Sequence, residues 1–305
     1  MGAVRQTTSA LDAATASFAE HRKLLFSVVY NLLGTVSDTE DVLQDTWLAW
    51  VAGGREEVGN ARAYLVRIAV NQALSRLRRA RRSREAYVGP WLPEPLVSGA
   101  DAVDGAERAE AVSMAMLVVL ETLTPLERTV FVLREVFGYD HPEIAAILGR
   151  SPAAVRQLAH RAREHVQARR PRYQPSPGVQ QAATERFLAA AMGGDLQALL
   201  DVLAPDVTLW TDAGGKLPAA RRVIQGRDKV ARLLVAAVTQ YRPTDLTIRY
   251  AEVNGGPAAL LFAAGEVFGV LVVEPSERGD QVHAIYGVVN PDKLTWLAGA
   301  LREHP

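Results

Sequence analysis

RLRRARRSR, residues 76–84, carries six Arg and no acid, and RSPAAVRQLAHRAREHVQARRPR, residues 150–172, carries seven Arg against Glu164 alone. A guanidinium offers a fork of donors that matches phosphate oxygens and the edge of guanine, so such runs suit an anionic polymer. SDTEDVLQD, residues 37–45, has the opposite chemistry, with Asp38, Glu40, Asp41 and Asp45 close together. Asp41 and Asp45 are four apart and share one helix face, with Gln44 beside them. Like charges at that spacing cost roughly 0.2–0.5 kcal/mol in an isolated helix, which a basic partner offsets. No His lies within the run, so no metal site is expected there. The chain as a whole is neutral, with 34 Lys+Arg against 34 Asp+Glu. Two basic patches on a neutral protein suggest a nucleic acid touched at two places, and solvated helix faces are the alternative reading.

Helices must carry these groups. Residues 16–86 read as wholly helical, with Leu24, Leu25, Val28, Val29, Leu32 and Leu33 at helical spacing. Gly34 ends one helix, and Ser37 with Glu40 forms a capping-box pattern for the next. After the glycine-containing stretch 52–60, a long helix is expected over about 61–85. Residues 107–170 read as helical again. Thr124 with Glu127, Asp140 with Glu143, and Ser151 before Pro152 supply three start signals. A short helix, a turn at Gly149 and a longer basic helix make helix-turn-helix spacing, with a generic helical hairpin as the alternative. The second helix carries Arg156, Gln157, His160, Arg161 and Arg163.

Two connectors punctuate the chain, at 87–106 and 171–179. The first contains YVGPWLPEPL, in which three prolines block helix and a Trp offers a large apolar ring to whatever the segment docks on. Beyond the second, a helix pair precedes the runs VTLW, LTIRY, AALLFAAG, VFGVLVV and QVHAIYGVV, the pattern of a small α+β domain with a curled antiparallel sheet. The 305 residues hold no Cys, which excludes disulfides and thiolate chemistry and fits a reducing compartment. The N-terminal residues lack the apolar core of a signal peptide. The apolar run 258–273 is broken by Gly265, Glu266 and Gly269 and reads as two strands, so a cytoplasmic protein off the membrane is expected.

Residues 16–86 resemble conserved region 2 of an extracytoplasmic-function sigma factor of the sigma-70 superfamily, in FAEHRKLLFSVVYNLLGTVSDTEDVLQDTWLAW and ARAYLVRIAVNQALSRLRRARR. TLTPLERTVFVLREVFGYDHPEIAAILGRSPAAVRQLAHRARE, within 107–170, resembles region 4. The resemblance implies two all-α domains that bind core RNA polymerase, at the β′ clamp helices and the β flap, and promoter DNA. It assigns Asp38, Asp41, Gln44 and Asp45 to polymerase and Asn71, Arg76, Arg78 and Arg79 to the −10 element. Ser151, Arg156, Gln157, His160, Arg161 and Arg163 fall to the −35 major groove.

WLPEP (Trp91, Leu92, Pro93, Glu94, Pro95) is similar to the linker signature of a subgroup that carries a SnoaL-like, NTF2-like, cone-shaped α+β domain, here 180–305. Two further signatures of that subgroup stand in DAGGK (Asp212, Gly214, Gly215, Lys216) and NPDKL (Asn290, Pro291, Asp292, Lys293, Leu294). DAGGK departs from the subgroup's D-G-G-G-K at Ala213, which matters only if that position needs positive φ. Both are expected as turns at strand ends, forming with WLPEP an interdomain regulatory device in which Trp91 docks on the C-terminal domain. SnoaL-like relatives include enzymes with an acid in the cone, and Asp212, Lys216, His283, Tyr286 and Asn290 are the candidates for such a pocket. The expectation is a non-enzymatic sigma factor without cofactor or metal, with an unknown small ligand as an open possibility. A ligand-converting protein with a DNA-binding part is the rival, and an ordinary repressor leaves the acids at 37–45 without a role.

Overall fold

The structure, a computed structural model, describes residues 2–53, 59–97, 112–169 and 175–303. Parts of the stretch 52–60, of both connectors, and the expected helical segment 107–111 lie outside the described residues. Contacts divide the chain into two units, Met1–Ser83 with Val119–Arg169, and Arg84–Val118 with Arg170–Pro305.

The first unit is helical. Helices α1 (Gly2–Leu33), α2 (Val36–Ala52) and α3 (Ala61–Glu85) bury Leu25, Val28, Val29, Leu32, Val42, Leu43, Leu65 and Val70. Gly34 takes φ 72° and its N–H donates to the Tyr30 carbonyl at 2.7 Å, closing α1. Thr35, not Ser37, is the N-cap of α2, and its hydroxyl donates to Asp38 at 2.8 Å. The Ser37–Glu40 pattern fails because the sharp exit at Gly34 starts the new helix two residues earlier. The Trp50 indole donates to the Ala14 carbonyl at 3.0 Å and ties α2 to α1.

After α4 (Met114–Leu120), the first unit holds α5 (Pro125–Phe131), a π-helical turn (Val132–Val136), α6 (His141–Leu148) and α7 (Pro152–Gln167). All three start signals are used: Thr124 and Asp140 make reciprocal capping boxes, and Ser151 accepts from the Ala154 N–H. Gly149 at φ 61° makes the left-handed turn between α6 and α7. Arg128, 1% exposed, donates to the Asn31 carbonyl through Nε and Nη2 and pairs with Glu121, fastening α5 to α1.

In the second unit, among the described residues, six strands form one sheet in the order β2-β1-β6-β5-β4-β3. They are β1 (Leu203–Asp212), β2 (Ile224–Gln225), β3 (Thr247–Val253), β4 (Gly256–Ala263), β5 (Glu266–Pro275) and β6 (Val282–Val288). β1 and β6 pair in parallel and the other neighbours are antiparallel, which corrects the expectation of a wholly antiparallel sheet. The period-2 pattern gives both faces apolar residues. Val273 and Ile285 point to a core under α8 (Pro177–Met192), α9 (Leu196–Val202) and α10 (Arg227–Tyr241). Val272 and Tyr286, their neighbours in sequence, point to a second core with Leu92, Met114, Leu294 and Leu297. The last two belong to α11 (Pro291–Glu303). NPDKL is therefore the start of a helix, not a free turn.

Candidate functional site

Three sets of residues emerge. On α2, Asp38, Asp41 and Asp45 lie at spacings of three and four and so on one face, with Gln44 exposed beside them. The Arg76 guanidinium on α3 spans them, at 3.4 Å from Asp38, 3.0 Å from Asp41 and 3.3 Å from Asp45. Residues that the resemblance sends to polymerase and to DNA thus meet each other. Both oxygens of Glu40 accept instead from Arg22 Nη2, at 2.7 and 2.8 Å. Asn71 donates to the Arg67 carbonyl at 2.8 Å and to the Ile147 carbonyl, at the end of α6, at 3.0 Å. Arg78 and Arg79 are exposed on α3, and Arg79 donates to the Ser75 carbonyl at 3.5 Å.

On α7 the apolar side chains Val155, Leu158, Ala162 and Val166 face inward, which leaves Arg156, Gln157, His160, Arg161 and Arg163 exposed. These five are not equivalent. Arg161 donates to Glu127 at 3.1 Å and Arg163 to Glu135 at 2.6 Å, while His160 stands 3.5 Å from Glu164. Arg156 and Gln157 make no side-chain hydrogen bond or ion pair among the described residues, and Ser151 spends its hydroxyl oxygen as the helix cap.

The third set gathers WLPEP, DAGGK and NPDKL around one carboxylate. Asp212 ends β1 and is completely buried. Its Oδ1 accepts from the Tyr87 hydroxyl at 2.5 Å and the Gly214 N–H at 3.2 Å. Its Oδ2 accepts from the Leu92 N–H and from Lys293 Nζ, each at 2.7 Å. Lys293 also donates to the Leu92 carbonyl, so one ion pair grips both backbone polar groups of that residue. Asn290 donates to the Tyr87 hydroxyl at 2.9 Å and accepts from the Asp292 N–H at 3.2 Å. Lys216 pairs with Asp292 at 2.5 Å on the outside.

Leu92 is fully buried, and Pro93, Glu94 and Pro95 are buried behind it. Removing a Leu side chain from water is worth about 1.5–3 kcal/mol. Trp91 is only half-buried: Lys293 Nζ lies 4.0 Å and the Arg84 guanidinium 3.5 Å from its ring centroid. Its partners are cations on the ring face, an attraction worth about 0.5–2 kcal/mol each. The apolar anchor is its neighbour Leu92. Beyond Pro95 the segment pairs with the sheet edge, Leu96 exchanging backbone and side-chain bonds with Asn254 and Val97 bridging Val253.

Burial holds Lys293 down at about 8, although Asp212 pulls the other way. Burial, then the Asp212 carboxylate, pushes the Tyr87 phenol well above its ordinary range, so it stays a donor. Gly214 and Gly215 take φ 58° and 73°, whereas Ala213 does not have positive φ, and the departure from D-G-G-G-K is harmless. A Cβ on Gly214 would stand 2.4 Å from Asn290 Nδ2. Gly214→Ala is therefore expected to break the Asn290–Tyr87 bond and to lower the unfolding free energy by about 2 kcal/mol, read by denaturant titration. A loss under about 0.5 kcal/mol would show that the turn relaxes freely.

The candidate catalytic set does not assemble. Asp212 and Asn290 are committed to Tyr87, Leu92 and Lys293. His283 pairs with the exposed Asp206 at 3.3 Å, and Tyr286 packs on Trp210 in the apolar core. Among the described residues no His, Cys, Asp and Glu group could hold a metal ion, and no helix is long and apolar enough to cross a membrane. Sequence reasoning missed Tyr87, Arg84 and Asn254. Asn254-Gly255 is a hairpin signal, but nothing local tells that its amide also holds Leu96.

Comparison with known proteins identifies the family. The family model for Sigma-70 region 2 matches residues 18–83, and that for Sigma-70, region 4 matches 113–166. The chain is 38% identical to the ECF RNA polymerase sigma factor SigJ of Mycobacterium tuberculosis over 91% of its length and 92% of that protein. It is 29% identical to the probable ECF RNA polymerase sigma factor SigI of the same species, over 95% of this chain and 98% of that one. The crystal structure of M. tuberculosis SigJ superimposes with a TM-score of 0.73 at 35% identity, covering 92% of this chain and 98% of that chain. A chain with both sigma-70 regions in order, followed by the α+β domain of its relative, belongs to the extracytoplasmic-function sigma factors, which direct RNA polymerase to initiate transcription.

Proposed function

We propose that the chain docks on the β′ clamp helices of core polymerase through Asp38, Asp41, Gln44 and Asp45, with region 4 against the β flap. Asn71, Arg76, Arg78 and Arg79 then work at the −10 element and α7 lies in the −35 major groove. This is work for the cytoplasm, where polymerase and chromosome meet. The observation that carries the reading is the free face of α7: Arg156 and Gln157 stand exposed one turn into a capped helix, with no internal partner among the described residues. Arg161 and Arg163, tied to Glu127 and Glu135, position the helix and contribute less to base reading. The C-terminal unit regulates by holding WLPEP through Asp212 and Lys293, and the Asp212 carboxylate, saturated by four donors, serves that hold rather than proton transfer.

Purified chain with core polymerase is expected to transcribe from a defined set of promoters, identified by sequencing the transcripts made on fragmented genomic DNA. Output no more selective than that of core polymerase alone would remove the proposal. Arg156→Ala should weaken binding to a cognate −35 duplex by about 1–3 kcal/mol and to a scrambled duplex by much less. Equal losses on both would reduce Arg156 to a phosphate contact.

A further inference from the structure

Polymerase and DNA are separate partners, yet the residues proposed to meet them are bound to each other in this chain. Arg76 Nη1 serves Asp38 and Asp41 while Nη2 serves Asp45, so both ends of the guanidinium fork are occupied. The Arg76 side chain is 24% exposed, and the three carboxylates are 43%, 59% and 46% exposed. One cation shared by three anions leaves the cluster negative and open to further cations from the solvent side. With three of its five N–H groups engaged in this way, the guanidinium cannot also present its end-on Nη1–Nη2 fork to a phosphate.

We propose that Arg76 is a shared counter-ion that couples the two binding events. A basic surface docking on the α2 acids displaces Arg76, and the released fork becomes available to DNA. The inference rests on the proposed docking of α2 on polymerase. Because the exchange is between partly exposed ion pairs, each weak in itself, the displacement is easy and the coupling modest. Linkage makes the effect reciprocal: whatever factor polymerase adds to DNA affinity through Arg76, DNA adds to polymerase affinity.

The test uses the full chain, its core polymerase and a single-stranded oligo-dT probe, which reads phosphate contacts without a promoter sequence. Arg76→Gln is expected to raise affinity for core by about two- to tenfold at low salt, because the acids lose their internal competitor. The same variant should lose oligo-dT affinity at least about threefold more in the holoenzyme than in the free factor. Unchanged or weaker core binding by a variant that melts like the wild type would overturn the proposal, as would equal DNA losses in both states. Should Arg76→Gln melt early, Arg76→Lys keeps the charge but not the fork, and the same two directions are expected at smaller size. If Asp41→Lys with Asp45→Lys leaves core affinity intact, the docking reading itself fails. If those acids matter but Arg76→Gln does not strengthen core binding, only the coupling fails.

Discussion

Asp212→Ala is expected to destabilise the C-terminal unit by about 3–5 kcal/mol, the range for removing one partner of a buried ion pair. For a unit of this size that amounts to a fall of roughly 10 °C in its unfolding midpoint. The size follows from what the carboxylate holds: the Tyr87 hydroxyl, the Leu92 and Gly214 N–H groups and the Lys293 ammonium lose their common acceptor at once. Lys293, already held at about 8 by burial, then loses the charge that opposes this depression. Calorimetry gives the midpoint, and limited proteolysis within 87–97 reports release of the segment. The companion double variant, Asp212→Leu with Lys293→Met, replaces the pair by apolar groups of similar volume and should lose less than Asp212→Ala alone. A single variant that melts within about 2 °C of the wild type would mean that water takes over the role of Asp212.

Asp41→Lys combined with Asp45→Lys is expected to weaken core polymerase binding about a hundredfold while leaving the fold intact. Reversing two charges replaces attraction to a basic surface by repulsion, and close interfacial charge pairs couple by about 1.5 kcal/mol or more each. Both side chains are half-exposed and neither contributes to the apolar core, so the helical unit should lose only the Arg76 pairs. Those pairs are worth about 0.2–1 kcal/mol each at such exposure. Quantitative pull-down against core polymerase at two salt concentrations measures the effect, which should shrink as salt screens it. Undiminished binding with an unchanged melting curve would take the acids of α2 out of the interface.

Much of this was legible in the chain itself. Capping chemistry is local, so Thr124 with Glu127, Asp140 with Glu143 and Ser151 suffice to place the helix-turn-helix. Apolar alternation is local too, and it marked the five long strands. Helix α10, which contains RLLVAAV, was not singled out between the strand runs. The parallel pairing of β1 with β6 was not local: it depends on which strands become neighbours when the sheet closes, a choice made between residues 76 to 79 apart in sequence.

The sequence by itself determined the helices of the first unit, the residue types on α2, α3 and α7, and three signature segments that had to matter. Only the tertiary structure decided who pairs with whom. The Arg76 clasp over Asp38, Asp41 and Asp45 and the Asp212 bonds to Tyr87, Leu92 and Lys293 join segments 31 to 125 residues apart. A one-dimensional pattern records the donors and acceptors available but not their distances. The same distinction separates Trp91 from Leu92: hydrophobicity marked the Trp, while burial fell on the Leu because its backbone is held by Asp212 and Lys293 at the edge of the apolar core. A buried carboxylate must find its donors, and folding, which brings distant segments together, decides which they are.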